Sequence, residues 1–150
     1  MSDRAEGGHR ENGSVDRGPG ADCPFCLIVR GAAPARVVRR WADALAITPR
    51  GGGVTRGHVL VLPMTHVPDV AADPAVSATT MRYAAELAAE VGDCNIITSR
   101  GAAATQTVPH LHVHVVPRRP GDGILLPWTA PEGPVAGGRE RVGSAQGDDQ

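Results

Sequence analysis

His110-Leu111-His112-Val113-His114-Val115-Val116 carries three of the chain's six histidines, at positions i, i+2 and i+4. On a β-strand alternate side chains share a face. This spacing therefore lines three imidazoles along one side at roughly 6–7 Å per step, with Leu111, Val113 and Val115 turned to a core. A helix would scatter the imidazoles, and the β-branched content also favours a strand. Three readings follow. One is a polar strand face that happens to be histidine, against which the scarcity of histidine elsewhere counts. A second is a metal site, which would want more ligands than the strand supplies. The third is nucleophilic catalysis, in which a neutral imidazole attacks an electrophile while its neighbours fix its tautomer and bind the developing charge.

Pro117 ends this strand, and strand-like runs recur at 36–41, 44–48, 58–62 and 94–98. Gly51-Gly52-Gly53 marks 50–57 as a loop. Cys23–Arg30 reads as a short helical turn stopped by Gly31. Asp73-Pro74 is a helix start, an N-cap followed by proline at the first helical position. Val76, Thr80, Tyr83, Leu87 and Val91 then recur at helical spacing up to Gly92. The expected fold class is α+β: an antiparallel sheet of about five strands, one main helix and a short N-terminal helix. Residues 1–21 and 129–150 are rich in Gly and charged or small residues and too poor in apolar side chains to offset ordering entropy. They are expected to be disordered tails around a domain at 22–128.

Composition narrows the chemistry. All 15 residues counted as Lys+Arg are arginine. That removes the P-loop lysine, Schiff-base lysines and lysine-assisted acyl enzymes. Net charge is −1, so no sequence-independent grip on nucleic acid is indicated. No apolar run can span a bilayer, and no apolar leader is visible. Three cysteines make no disulfide framework, which favours a reducing cytoplasm.

The motifs also carry a family resemblance. His110–Val116, framed by Gln106-Thr107-Val108-Pro109 and Pro117-Arg118, resembles the signature of the histidine-triad (HIT) superfamily. Gly57-His58-Val59-Leu60-Val61-Leu62-Pro63-Met64-Thr65-His66 is similar to its G-H-x-L-V-I-P-x-x-H strand, and Cys23-Pro24-Phe25-Cys26 to the C-x-F-C start of its Hint-like branch. The resemblance spans the folded region in the family's order. It implies a HIT-like fold and a nucleotide hydrolase or nucleotidyl transferase. His112 would attack an α-phosphorus to form a nucleotidyl-imidazole. His114, Gln106 and Thr107 would hold the phosphate oxygens, with His58, Ile47 and Ser99 around the substrate. Phosphoramidate, adenylylated and dinucleoside polyphosphate substrates fall within that class. A homodimer is implied, with Trp128 as a candidate interface or specificity residue. The rival reading is a non-catalytic nucleotide-binding or interaction module on the same fold.

Cys23 and Cys26 alone are compatible with a redox dithiol, although a thioredoxin-like context is missing. The resemblance implies structural zinc held by Cys23, Cys26, His66 and His110. Cys94 reads as a small buried hydrophobe. Two features depart from the family. The stretch Ala46-Ile47-Thr48-Pro49 lacks the acid that holds the ribose hydroxyls, and Ala104-Thr105 stand where Ala-Gly usually precedes the glutamine. Arg118 and Arg119 could reach a distal phosphate or form a solvated pair, and Arg36, Arg39 and Arg40 read as a solvated strand face.

Overall fold

The computed structural model describes residues 20–126. Its elements in chain order are α1 (Pro24–Val29), β1 (Val37–Arg40), β2 (Ala44–Ile47), β3 (Val59–Pro63), α2 (Pro74–Val91), β4 (Cys94–Ile97), a 3-10 turn (Ala102–Ala104) and β5 (Val113–Pro117). The five strands form one antiparallel sheet in the order β1-β2-β3-β5-β4. The expected α+β architecture holds.

Both faces of the sheet are covered, which explains why β2 and β3 are buried at every position. One face carries Ala44, Ala46, Val59, Val61, Val113 and Val115 against Tyr83, Ala84 and Leu87 of α2. The other carries Leu45, Ile47, Leu60 and Leu62, covered by Phe25, Ile28 and Val29 of α1 and by Met64. The period-2 alternation thus sorts side chains between two apolar layers rather than between core and water.

Helix α2 starts as its sequence predicts. The Asp73 carboxylate accepts from the N–H groups of Ala75 (2.9 Å) and Val76 (3.1 Å), and Pro74 follows the cap. Thr80, Tyr83, Ala84 and Leu87 are buried. Val91 differs from expectation: it is exposed, because the last turn runs past the packed stripe. At the other edge Trp41 stacks on Tyr83 with ring centroids 4.5 Å apart, tying β1 to α2.

The histidine segment joins the sheet later than its pattern suggests. Strand β5 starts at Val113, paired with Val61. Upstream, the Leu111 N–H donates to the Val67 carbonyl (2.7 Å) and the His110 N–H to the Val108 carbonyl (2.8 Å). These bonds take the backbone off the ladder, yet Leu111 still packs in the α2-side core with Val113 and Val115. A second compact unit begins at Gly121. In its described part the Ile124 N–H donates to the Asp122 carboxylate at 3.0 Å. Trp128, residues 1–19 of the first expected tail and all of the second lie outside the described residues.

Candidate active site and metal centre

The two cysteines of α1 and its N-cap, the histidine three residues beyond β3 and the first histidine of the triad converge. The ligand atoms of Cys23, Cys26, His66 and His110 all lie within 4.8 Å of one another. Cys26 Sγ stands 3.2 Å from His66 Nδ1 and 3.4 Å from His110 Nδ1, Cys23 Sγ is 3.5 Å from His110 Nδ1, and the two Nδ1 atoms are 3.2 Å apart. A zinc tetrahedron with sulfur and imidazole ligands has edges of roughly 3.3–3.8 Å, so the four residues fit a metal ion. His110 is already in the ligand tautomer. Its Nε2–H donates to the Pro63 carbonyl at 3.2 Å, leaving the Nδ1 lone pair facing the sulfurs. Burial holds His110 down to a pKa of about 4, with the charges of His66 and His112 adding to it and the Pro63 bond opposing it. Burial likewise pushes the Cys26 thiol up to about 11, helped by Cys23. A thiol that resists ionisation in this way is a poor redox nucleophile.

Gly20, within the expected tail 1–21, completes this cluster. Its φ is +84°, and a Cβ there would lie 2.7 Å from Cys26 Sγ and 3.0 Å from the His66 ring. Ala21 accepts from the Arg30 guanidinium at 3.1 Å.

Two residues along, the tautomer reverses. His112 is buried, and its Nδ1–H donates to the His110 carbonyl at 2.7 Å. The Thr98 hydroxyl donates to the His112 carbonyl at 2.9 Å and fixes the backbone. In the neutral ring this bond puts the lone pair on His112 Nε2.

His114 is set by a relay. The Val54 N–H donates to His58 Nδ1 at 3.1 Å, so the His58 proton sits on Nε2 and is donated to His114 Nδ1 at 2.9 Å. His114 must then present its own proton on Nε2. Burial, then the charges of His112 and His58, hold its pKa at about 4, and burial also lowers His58. The rings of His112 and His114 lie 5.2 Å apart, placing one bare nitrogen and one N–H donor side by side. Gly53 permits the relay: a Cβ there would stand 2.5 Å from His58 Nδ1.

Beside these rings lies a cavity of about 670 Å³ with Phe25, Ile47 and Leu60 in its wall. Phe25 is 5.2 Å from the His112 ring, and Leu60 pairs with His114 across the ladder. Ile47 thus lines the cavity. Ala46 does not; it is buried in the α2-side core.

Gln106 occupies its amide within the protein. Nε2 donates to the carbonyls of Pro68 (2.6 Å) and Val108 (3.1 Å), while Oε1 accepts from the Gly101 N–H at 2.8 Å. It clamps the loop ahead of the triad. Thr107 is exposed and Ser99 half-buried, and neither side chain has a hydrogen bond among the described residues. Arg118 donates to Asn95 Oδ1 at 2.5 Å. Cys94 is half-buried against the α2-side core. Sequence reasoning missed Gly20, Gly53 and Val54. A glycine before C-x-x-C and the run Gly51-Gly52-Gly53 before His58 were the signals present.

The HIT-domain family model matches residues 30–121. An uncharacterized HIT-like protein of Mycobacterium tuberculosis is 40% identical over 116 residues, covering 69% of this chain and 76% of that protein. An adenylylsulfatase of Arabidopsis thaliana is 29% identical over 108 residues, covering 67% of this chain and 54% of that protein. Among solved structures, a HIT family hydrolase from Clostridium thermocellum superposes with a TM-score of 0.60 at 26% identity, covering 70% of this chain and 97% of that one.

Proposed function

This chain belongs to the HIT family, and on that premise we propose that it is a nucleotide hydrolase or nucleotidyl transferase working through a covalent adduct on His112. One observation carries the reading. The His112 Nδ1–H is committed to the His110 carbonyl at 2.7 Å, leaving the Nε2 lone pair as the nucleophile on a ring that packs against Phe25, in the wall of a largely apolar cavity. The adenylylsulfatase relative supports an adenylyl-type substrate.

The base lies in the cavity against Ile47 and Phe25. His112 Nε2 attacks the α-phosphorus; the N–P bond forms as the bond to the leaving group breaks and its electron pair departs. Water or another acceptor then attacks phosphorus and gives up a proton to solvent, while the N–P bond breaks and its electron pair returns to Nε2. The His114 Nε2–H, positioned by His58, donates to a phosphoryl oxygen where negative charge accumulates. Thr107 and Ser99 are further donors at this edge. Gln106 holds their loop, and exchanging one carbonyl partner would free an N–H for phosphate.

Cys23, Cys26, His66 and His110 hold zinc in this reading. Four protein ligands leave no open position, so the ion supplies rigidity to α1 and the triad rather than Lewis acidity. Edge strand β4, with Ile96 and Ile97 exposed on its two faces, offers an edge to a second copy in a homodimer. The three free cysteines favour a reducing compartment, the cytoplasm, as its place of action.

The test is to trap a radiolabelled nucleotidyl adduct and screen phosphoramidate, adenylylated and dinucleoside polyphosphate substrates. Labelling is expected in the wild type and absent in His112→Asn. Turnover that persists in that variant overturns the mechanism, and nucleotide binding with no release from any substrate assigns the chain to a non-catalytic module.

A further inference from the structure

The cavity beside His112 has two arginines and no acidic residue in its wall, and both arginines are exposed. Arg36 and Arg50 both line it. Neither has a side-chain hydrogen bond or ion pair among the described residues, whereas Arg39, Arg82 and Arg100 each face a carboxylate. The ladder brings the pair together: the Thr48 N–H donates to the Arg36 carbonyl at 2.9 Å, two residues before Arg50. The Gly52 N–H then donates to the Pro49 carbonyl at 2.9 Å, turning the chain at the mouth. Gly51 and Gly52 have φ of +84° and +91°, and a Cβ at either would meet nothing within 4 Å, so the mouth has room. In a chain of net charge −1, two like charges on one largely apolar cavity do not follow from a general basic excess. On the cavity side β2 presents Leu45 and Ile47, so it supplies no compensating acid there.

We infer that the preferred substrate is a nucleotide with a second phosphate, esterified to its ribose, which Arg36 and Arg50 hold. This rests on the proposed reading that the nucleoside occupies the cavity. With phosphorus at His112 Nε2 and the base among Phe25, Ile47 and Leu60, the ribose lies between them. A group on its 2′ or 3′ oxygen then reaches the mouth. The leaving group departs in line, opposite Nε2, so it is not the natural partner of arginines on the nucleoside's cavity. Guanidiniums match a phosphate dianion through paired charge-assisted hydrogen bonds.

The test is calorimetric binding of adenosine 5′-monophosphate, 2′,5′-bisphosphate and 3′,5′-bisphosphate to the wild type and to the Arg36→Ala/Arg50→Ala variant, alongside turnover of adenosine 5′-phosphoramidate with and without a 2′- or 3′-phosphate. One bisphosphate is expected to bind about tenfold or more tighter than the monophosphate, with the advantage shrinking to about twofold or less in the variant. The two isomers distinguish the ribose position. Equal affinity for mono- and bisphosphates overturns the inference and, if turnover persists, leaves the His112 chemistry standing. A bisphosphate preference without turnover of any substrate upholds the inference and removes the catalytic reading. Failure to bind any of the three nucleotides overturns the inference.

Discussion

His58 Nε2 lies 2.9 Å from His114 Nδ1, and the Val54 N–H on the far side of His58 decides which of the two nitrogens carries the proton. Because a backbone N–H can only donate, the chain of donors runs one way, from Val54 through His58 to His114. It ends in an outward-facing N–H on the imidazole next to the proposed nucleophile.

His58→Ala is therefore expected to lower kcat about tenfold, the worth of one hydrogen bond near 1.4 kcal/mol, with a smaller change in KM. The variant leaves His114 free to adopt either tautomer. Steady-state kinetics on an adenylylated substrate check this, with circular dichroism confirming the fold. Unchanged kcat would show that the relay does not position His114.

Acid should weaken the fold through the same pair. The folded pKa of His114, about 4, lies below its ordinary value of 6.5, so the fold favours the neutral ring. The stability contributed is present in full above the unfolded value and is lost as pH falls through the folded one. Urea midpoints should be flat above pH 7 and decline between about pH 6.5 and 4. A His114→Gln variant should show a shallower decline over the same window.

The sheet and α2 were legible because their signals are local. Proline and glycine punctuate the strands, and Asp73-Pro74 announces the helix. The metal set was legible only through the resemblance, since Cys23 and His110 are 87 residues apart and no periodicity joins them. The roles of Gly20 and Gly53 were hidden for a different reason. Each is required by a close approach of distant chain, Gly20 to Cys26 and His66, Gly53 to His58, and a glycine's spelling does not say what comes near it. The two carbonyls that the Gln106 amide holds, those of Pro68 and Val108, are likewise invisible in its spelling. Strand β5 began late because Val67, in another segment, takes the Leu111 N–H.

Zinc analysis tests the cluster apart from activity. One ion per chain is expected from protein purified without chelator. Cys26→Ser should lose most of it and lower Tm, because the ion ties α1 to the triad. Gly20→Val should also weaken retention, through the clash with Cys26 Sγ and the unfavourable φ. Full metal occupancy in both variants would place the ion elsewhere.

Thr105 provides a prediction in the stabilising direction. It is the one non-glycine residue among those described with a positive φ, at 66°, and it is β-branched. The left-handed region brings an L side chain's Cβ too close to the following carbonyl, at about 1–2 kcal/mol. Thr105 is exposed and its side chain makes no hydrogen bond among the described residues that would offset this. Its N–H donates to the Ala102 carbonyl at 2.9 Å, a bond that glycine keeps. Thr105→Gly relieves the strain but adds freedom to the unfolded chain, so the net gain should be about 0.5–1 kcal/mol. For a domain of this size that raises Tm by a few degrees, measurable by calorimetry. The Gln106 clamp one residue on ties the two properties together. If strain in Thr105 holds the loop in its working geometry, Thr105→Gly gains stability and loses kcat; if the clamp alone does so, kcat stays constant while Tm rises. Given the three hydrogen bonds of the Gln106 amide, the second outcome is expected.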